Sequence, residues 1–155
     1  DALTPAKRCF LVATGTGFAP FASLIRDPEI YAQYEQIILV HTCRTNAELS
    51  YSQQLVRDTY ADVLVGEEAT AKLVYQPTTT QEESEVMGRP TTLIETGKLS
   101  EILDIAPLNV ETDRVMICGS VAMNQDMKMI CETAGFAEGA NSSPGEFVIE
   151  KAFVG

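Results

Sequence analysis

Five short apolar runs are spaced along the chain, and none of them alternates strictly between apolar and polar positions. A strand with one solvated face alternates, whereas a strand covered by helices on both faces is apolar throughout. The runs therefore predict buried strands. They lie at residues 8–14, 36–42, 71–77, 113–119 and 146–152.

Apolar residues at helical spacing separate these runs. The pattern predicts helices at residues 18–34, 47–64, 99–106 and 120–135. Asp27-Pro28 interrupts the first of them, because Asp27 can cap a new helix that has Pro28 at its first position. The last helix opens at Ser120, a favourable N-cap, and runs to Gly135, which is typical of a left-handed C-terminal cap.

Strands that alternate with helices favour one α/β domain over residues 1–155, with a doubly wound, five-stranded parallel sheet. A chain of 155 residues is long enough to bury one sizeable core. No apolar run approaches the ~20 residues that a membrane-spanning helix needs. Ligands of such sheets bind at the carboxyl ends of the strands, so candidate chemistry is expected there.

Charge and cysteine content narrow the partners and the compartment. The net charge of −11 disfavours nucleic acids and anionic membranes, because both require a basic surface. The cysteines form no CxxC pair and no metal-ligand spacing with the single histidine, His41, so no metal site is expected. We interpret His41 as a structural residue and the cysteines as free buried thiols, which favours the cytoplasm.

The turn after the first predicted strand reads T-G-T-G, from Thr14 through Gly15 and Thr16 to Gly17. Such a turn presents backbone N–H groups at a helix N-terminus, and its small residues let a phosphate approach closely. Pro20 stands where the dinucleotide fingerprint G-x-G-x-x-G has its third glycine, so the motif is incomplete. Phosphate binding and a tight connection that binds nothing both remain open on this turn alone.

Two further strand ends carry candidate residues. Arg44 follows the second strand, where an NAD-specific domain has an acidic residue. A guanidinium there suits the 2′-phosphate of NADP, and taken alone the residue is equally consistent with a solvated surface arginine. Cys118 and Gly119 end the fourth strand, where the thiol borders a cofactor ring or is simply buried. The polar segment 77–90 is either a ligand-bearing loop after the third strand or a disordered surface loop.

Taken together in chain order, four segments resemble the NADP-binding domain of bacterial ferredoxin–NADP reductases. They are LVATGTGFAPFASLIRDPE, LVHTCRTNAELSY, TDRVMICGSVAMNQDM and the terminal FVIEKAFVG. In that family an FAD-binding barrel precedes this domain, so the resemblance implies the NADP(H)-binding half of a flavoenzyme without its barrel. It further implies hydride transfer between NADP(H) and FAD, with ferredoxin or flavodoxin as electron partner.

The resemblance also implies residue roles. Thr14, Gly15, Thr16 and Gly17 would contact the pyrophosphate and nicotinamide side of NADP. The 2′-phosphate would bind Arg44 and Arg89, with Thr80 nearby. Cys118 would lie beside the nicotinamide C4, and Ala152 and Phe153 would pack near the flavin.

One position departs from the family pattern. The family loop often reads P-T-x-T-R-E, whereas this chain reads PTTTQE, so Gln81 replaces a cation. Independently of this substitution, two alternatives stay open. One is an NADH-using reductase domain of an oxygenase or flavohaemoprotein system, against which Arg44 and Arg89 argue, and the other is a nucleotide-binding module without redox turnover.

Overall fold

A computed structural model describes residues 2–150 of the chain. Its central sheet contains five strands. They are β1 (Arg8–Thr14), β2 (Gln36–Cys43), β3 (Leu73–Thr79), β4 (Asp113–Cys118) and β5 (Phe147–Ile149).

The strands lie in the order β3-β2-β1-β4-β5, and every neighbouring pair is parallel. The chain builds outward from β1 to β3 and then returns to place β4 and β5 on the other side of β1. A reversal of this kind leaves a crevice at the carboxyl ends of the two central strands. The predicted doubly wound, five-stranded parallel sheet is therefore confirmed.

Helices cover both faces of the sheet. They are α1 (Ala19–Leu24), α2 (Pro28–Gln33), α3 (Ser50–Tyr60), α4 (Gly66–Lys72), α5 (Pro90–Glu95), α6 (Lys98–Leu103) and α7 (Val121–Thr133). Two short 3-10 helices, Gly15–Phe18 and Ala47–Leu49, precede α1 and α3.

Successive residues of β1 point to opposite faces and join two separate cores. Cys9, Leu11 and Ala13 pack with the helices α1 to α4, while Phe10 and Val12 pack with α5, α6 and α7. This arrangement explains the continuous apolar runs, because a strand between two helical layers has no solvated face. All four cysteines are buried, and within residues 2–150 none of them forms a disulfide, as the sequence predicted.

The predicted helix boundaries at polar residues are confirmed. Asp27 Oδ1 accepts the Glu29 N–H at 3.0 Å, with Pro28 at the first helical position. Ser120 Oγ accepts the Met123 N–H at 3.2 Å. Gly135 has a φ of 91°, in the left-handed region where glycine is favoured.

Two helices were not predicted, and they change two boundaries. The third strand begins at Leu73 rather than at residue 71, because residues 71 and 72 complete α4. Helix α5 begins at Pro90, at the end of the segment predicted to be a loop. Both helices are a turn or two long and bury few side chains, so their apolar periodicity is too short to detect.

The last strand extends over Phe147–Ile149 within the described residues, against a prediction of 146–152. Across residues 2–150, none of the helices combines the length and the apolar character required to cross a membrane.

Candidate functional site at the sheet switch point

A cavity of about 1040 Å³ lies at the carboxyl ends of β1, β2 and β4, where the strand order reverses. It brings together every site residue that the sequence predicted within the described part of the chain. These are Thr14, Gly15, Thr16, Gly17, Arg44, Thr80, Arg89, Cys118 and Gly119. The remaining two, Ala152 and Phe153, lie outside the described residues.

Close packing explains two of the glycines on the cavity floor. A Cβ on Gly17 would overlap the Cys118 backbone carbonyl, and a Cβ on Gly119 would overlap the Thr14 side chain. The ends of β1 and β4 therefore approach each other more closely than side chains allow. Gly15 differs, since its φ of 53° favours glycine although the space around it is open.

The Thr14 hydroxyl has a structural partner that the sequence did not reveal. Its Oγ1 accepts the Ser120 N–H at 3.0 Å and so ties the end of β1 to the start of α7. An oxygen that accepts one hydrogen bond retains its own proton to donate. Thr14 thus ties β1 to α7 and retains one proton for a ligand, a more restricted role than that of an unbonded hydroxyl.

Cys118 lies at the end of β4, below the turn, and is 1% exposed. Its place between the glycine turn and Gly119 puts it on the floor of the cavity. A thiol so enclosed serves as a small apolar surface. The position suits contact with a planar ring better than nucleophilic attack.

A second group of residues forms the cationic end of the cavity. Arg44 follows β2 and is 68% exposed, and its Nη2 lies 3.1 Å from Glu48 Oε2. The hydrogen bond from Arg44 lowers the pKa of Glu48 below its usual range. Arg89 occupies the N-cap position of α5, at the end of the 80–89 loop, and lines the same cavity.

The 80–89 loop is held against the loop that follows β2. The N–H of Thr80 donates to the Cys43 carbonyl at 3.1 Å, and that of Gln81 to the Arg44 carbonyl at 3.0 Å. Glu82 Oε1 accepts the Asn46 N–H at 2.8 Å. These bonds favour the ligand-bearing interpretation of the segment over a disordered surface loop, because they fix Thr80 and Gln81 beside Arg44.

Three further residues belong to the site or support it, although the sequence did not single them out for a role there. Glu48 lines the cavity and pairs with Arg44. His41 Nε2 lies 2.8 Å from the Gly15 carbonyl oxygen, and His41 Nδ1 lies 2.7 Å from Ser52 Oγ. The separation of Arg44 and Glu48 by four residues is a sequence signal that could have indicated their pairing.

The donor set fits a phosphorylated dinucleotide. The small-residue turn after β1 offers backbone N–H groups and two hydroxyls, and the segments after β2 and β3 add two arginines and Thr80 to the same cavity. Backbone amides at such a turn suit a diphosphate, and guanidinium groups suit a terminal phosphate. An extended ligand with anionic groups at two separate points would meet a donor at both.

A parallel sheet with this strand order and a glycine-rich turn at its switch point defines a dinucleotide-binding α/β domain. The family model for the oxidoreductase NAD-binding domain matches residues 11–129. The chain belongs to that family.

Two curated relatives are similar over nearly all of the chain. The flavodoxin/ferredoxin–NADP reductase of Rhodobacter capsulatus is 56% identical over 155 residues, which are 100% of this chain and 57% of the relative. The ferredoxin–NADP reductase A of Sorangium cellulosum (strain So ce56) is 41% identical over 153 residues, which are 99% of this chain and 55% of the relative. The chain thus spans a little over half the length of these relatives.

A solved structure extends the similarity to the backbone. The ferredoxin NADP+ reductase from Neisseria gonorrhoeae, determined with bound FAD and NADP, superposes with a TM-score of 0.81 at 25% sequence identity. The match covers 97% of this chain and 58% of that one. The resemblance inferred from the sequence is therefore confirmed at the level of family and fold.

Proposed function

We propose that the chain is the NADP(H)-binding half of a flavin-dependent ferredoxin– or flavodoxin–NADP reductase. The observation that carries the proposal is the meeting of Arg44 and Arg89 with the T-G-T-G turn in one cavity. The turn suits the diphosphate, which NAD and NADP share. The two guanidinium groups suit the 2′-phosphate, which only NADP has.

In this proposal the turn and the floor of the cavity have separate tasks. The backbone of Gly15, Thr16 and Gly17 binds the diphosphate and directs the nicotinamide toward the floor. Cys118 supplies a small apolar contact beside the nicotinamide C4 and does not act as a nucleophile. The flavin, when bound in the whole enzyme, supplies the redox chemistry, and the protein supplies position and electrostatics.

The rest of the proposed enzyme extends beyond this chain. The R. capsulatus relative is nearly twice as long as the part matched, and we infer that an FAD-binding region accounts for the difference. Ala152 and Phe153 are proposed to pack near that flavin, by resemblance to the family. Ferredoxin or flavodoxin is the proposed electron partner, and the buried cysteines outside disulfides in the described part of the chain support a cytoplasmic location.

A second candidate is an NADH-using reductase domain. It is favoured by the pairing of Arg44 with Glu48 and by a neutral glutamine at position 81. Both features reduce the positive charge available to a 2′-phosphate. The two candidates differ in the nucleotide they prefer, so a binding experiment separates them.

The test is calorimetric titration of the chain with NADP+ and with NAD+. We expect NADP+ to bind more tightly, and Arg44→Ala and Arg89→Ala each to weaken it roughly 5- to 10-fold while NAD+ affinity stays unchanged. Arg26→Ala is the matched control, because Arg26 is exposed and does not line the cavity. A preference for NAD+ would support the NADH-using candidate. Equal losses for both nucleotides would mean that the two arginines serve the fold rather than the 2′-phosphate.

A further inference from the structure

The only histidine of the chain lies directly beneath the glycine turn. His41, in β2, is 3% exposed, and the Phe18 ring stacks on its imidazole at 5.0 Å between centroids with an interplanar angle of 22°. Its Nε2 is 2.8 Å from the carbonyl oxygen of Gly15. The histidine thus holds the turn from the protein interior, on the side away from the cavity.

The partners of the ring fix its tautomer. A carbonyl oxygen only accepts hydrogen bonds, so Nε2 carries the proton and donates it to Gly15. In the neutral ring, Nδ1 then accepts, and the Ser52 hydroxyl, 2.7 Å away, donates to it in preference to the more distant Leu49 carbonyl at 3.2 Å. Ser52 has one proton to give, so the Tyr75 hydroxyl, 2.6 Å away, donates to Ser52 Oγ.

These bonds form one directed chain from β3 to the turn. Tyr75 donates to Ser52, Ser52 donates to His41, and His41 donates to the Gly15 carbonyl. Ser52 is fully buried, so water does not compete for its hydroxyl. The orientation of the Gly15 carbonyl is therefore set by side chains on two strands and on α3.

The direction of that carbonyl fixes the donor on the opposite side of the peptide. The C=O and N–H of a trans peptide point in opposite directions, and no peptide bond among the described residues is cis. Because the Gly15 carbonyl points down to His41, the Thr16 N–H points away from it, toward the cavity that both residues line. An N–H at the start of a helical turn has no acceptor within the helix.

We propose that His41 is a positioning residue that orients the Gly15–Thr16 peptide so that the Thr16 N–H binds the diphosphate of the dinucleotide. The proposal rests on the proposed function and adds a residue that does not touch the ligand. Loss of the Nε2–H donor frees the peptide to rotate, which removes an oriented donor from the site. Gly15 makes such rotation easy, since it lacks a side chain.

The experiment compares His41→Leu with His41→Gln, because a glutamine retains an amide N–H that can replace Nε2–H. The probes are NADP+, NAD+ and adenosine 2′-monophosphate, which carries the 2′-phosphate but no diphosphate. In calorimetry, His41→Leu is expected to weaken NADP+ and NAD+ about 10-fold or more. His41→Gln is expected to remain within about 3-fold of the wild type, and both variants to bind adenosine 2′-monophosphate normally.

Nitrogen NMR of the wild-type chain gives a second measurement that needs no substitution. The single imidazole is expected to show the Nε2–H tautomer, and NADP+ is expected to shift the Thr16 amide far more than adenosine 2′-monophosphate does. An Nδ1–H tautomer, or an unshifted Thr16 amide, would overturn the role of His41. So would a folded His41→Leu variant that binds NADP+ with wild-type affinity.

The outcomes separate this inference from the proposed function. If the wild type binds neither NADP+ nor adenosine 2′-monophosphate, the proposed function fails and the inference fails with it. If the wild type binds both and His41→Leu lowers neither NADP+ nor NAD+ affinity, the inference alone fails. Should His41→Leu not fold, Ser52→Ala takes its place, with an expected loss of NADP+ affinity of about 3-fold.

Discussion

Arg44 and Glu48, four residues apart in the segment after β2, form an ion pair at the rim of the cavity, with Arg44 Nη2 3.1 Å from Glu48 Oε2. The other carboxylate oxygen, Oε1, accepts the Thr45 N–H at 3.2 Å. Glu48 thus neutralises a cation proposed to bind phosphate while it caps the turn after β2. A 2′-phosphate must compete with this carboxylate for the same guanidinium.

We predict that Glu48→Gln tightens NADP+ binding. Glutamine retains an oxygen for the Thr45 N–H but removes the negative charge that opposes the phosphate. Because the pair is exposed and screened by solvent, the gain is expected to be about 2- to 5-fold, with no change for NAD+. Calorimetric titration at low and high ionic strength measures it, and the gain should shrink as salt increases.

Glu29→Gln is the control for this substitution, since it makes the same change in net charge at an exposed residue of α2 that does not line the cavity. An equal effect of Glu29→Gln would attribute the gain to the overall charge of −11. A fall in NADP+ affinity on Glu48→Gln would mean that the carboxylate presents Arg44 correctly rather than competing for it.

The second prediction concerns Gln81, whose backbone N–H donates to the Arg44 carbonyl at 3.0 Å. This bond keeps position 81 beside Arg44, so an arginine there adds a charged fork of donors to the same end of the cavity. Gln81→Arg is expected to tighten NADP+ about 2- to 10-fold at low salt and to leave NAD+ nearly unchanged.

Gln33→Arg is the control. It adds the same charge at the end of α2, near the start of β2, and therefore at the amino ends of the strands rather than at the carboxyl ends where the cavity lies. A nucleotide titration of both variants separates a local contact from a general increase in positive charge. If Gln81→Arg alters neither the affinity nor its salt dependence, the side chain at position 81 does not reach the 2′-phosphate.

The sequence predicted the sheet well because the rule it depends on is simple. Strands such as Gln36–Cys43 are buried on both faces, and a continuous apolar run predicts such a strand without further information. The predicted candidates also met in one cavity, since the carboxyl ends of parallel strands share an edge. Short elements were missed: α5 buries Leu93 in its only two turns, which is too little periodicity to recognise.

The side-chain partners were harder to predict because they depend on three-dimensional proximity. Ser52 and Tyr75 meet His41 only once α3 and β3 pack against β2, and no spacing in the sequence records that contact. His41 was interpreted as structural, and its burial agrees with that. Its bond to Gly15 requires the turn after β1 to lie above β2, and no sequence pattern indicates that contact.

The third prediction uses two glycines of the same turn that differ in their surroundings. A Cβ on Gly15 meets no atom within 4 Å, and its cost is conformational, from a φ of 53°. A Cβ on Gly17 overlaps the Cys118 carbonyl, which belongs to the backbone and cannot rotate away. Urea unfolding is expected to show a loss of about 1 kcal/mol for Gly15→Ala and at least about 2–3 kcal/mol for Gly17→Ala.

The order of the two losses is the decisive result. A Gly17→Ala variant as stable as the wild type would mean that β1 and β4 do not approach as closely as the structure shows. Gly119→Ala offers an independent check of that approach, because its Cβ would overlap the Thr14 side chain.

The last prediction is that the chain loses stability as the pH falls below neutrality, through His41. Burial lowers the pKa of His41 below its ordinary value of 6.5. The unfolded chain therefore binds a proton at a higher pH than the folded chain, so the free energy of unfolding decreases as the pH falls from about 7 through 6.5 toward the folded pKa. Burial raises the pKa of Cys43 and that of Tyr75, so these neighbours stay neutral throughout this window.

Urea unfolding of the wild type and of His41→Gln between pH 7.5 and 5.5 isolates the effect, because the chain has no other histidine. The wild type should lose stability relative to His41→Gln across this range, whereas parallel curves would show that His41 titrates normally in the folded protein.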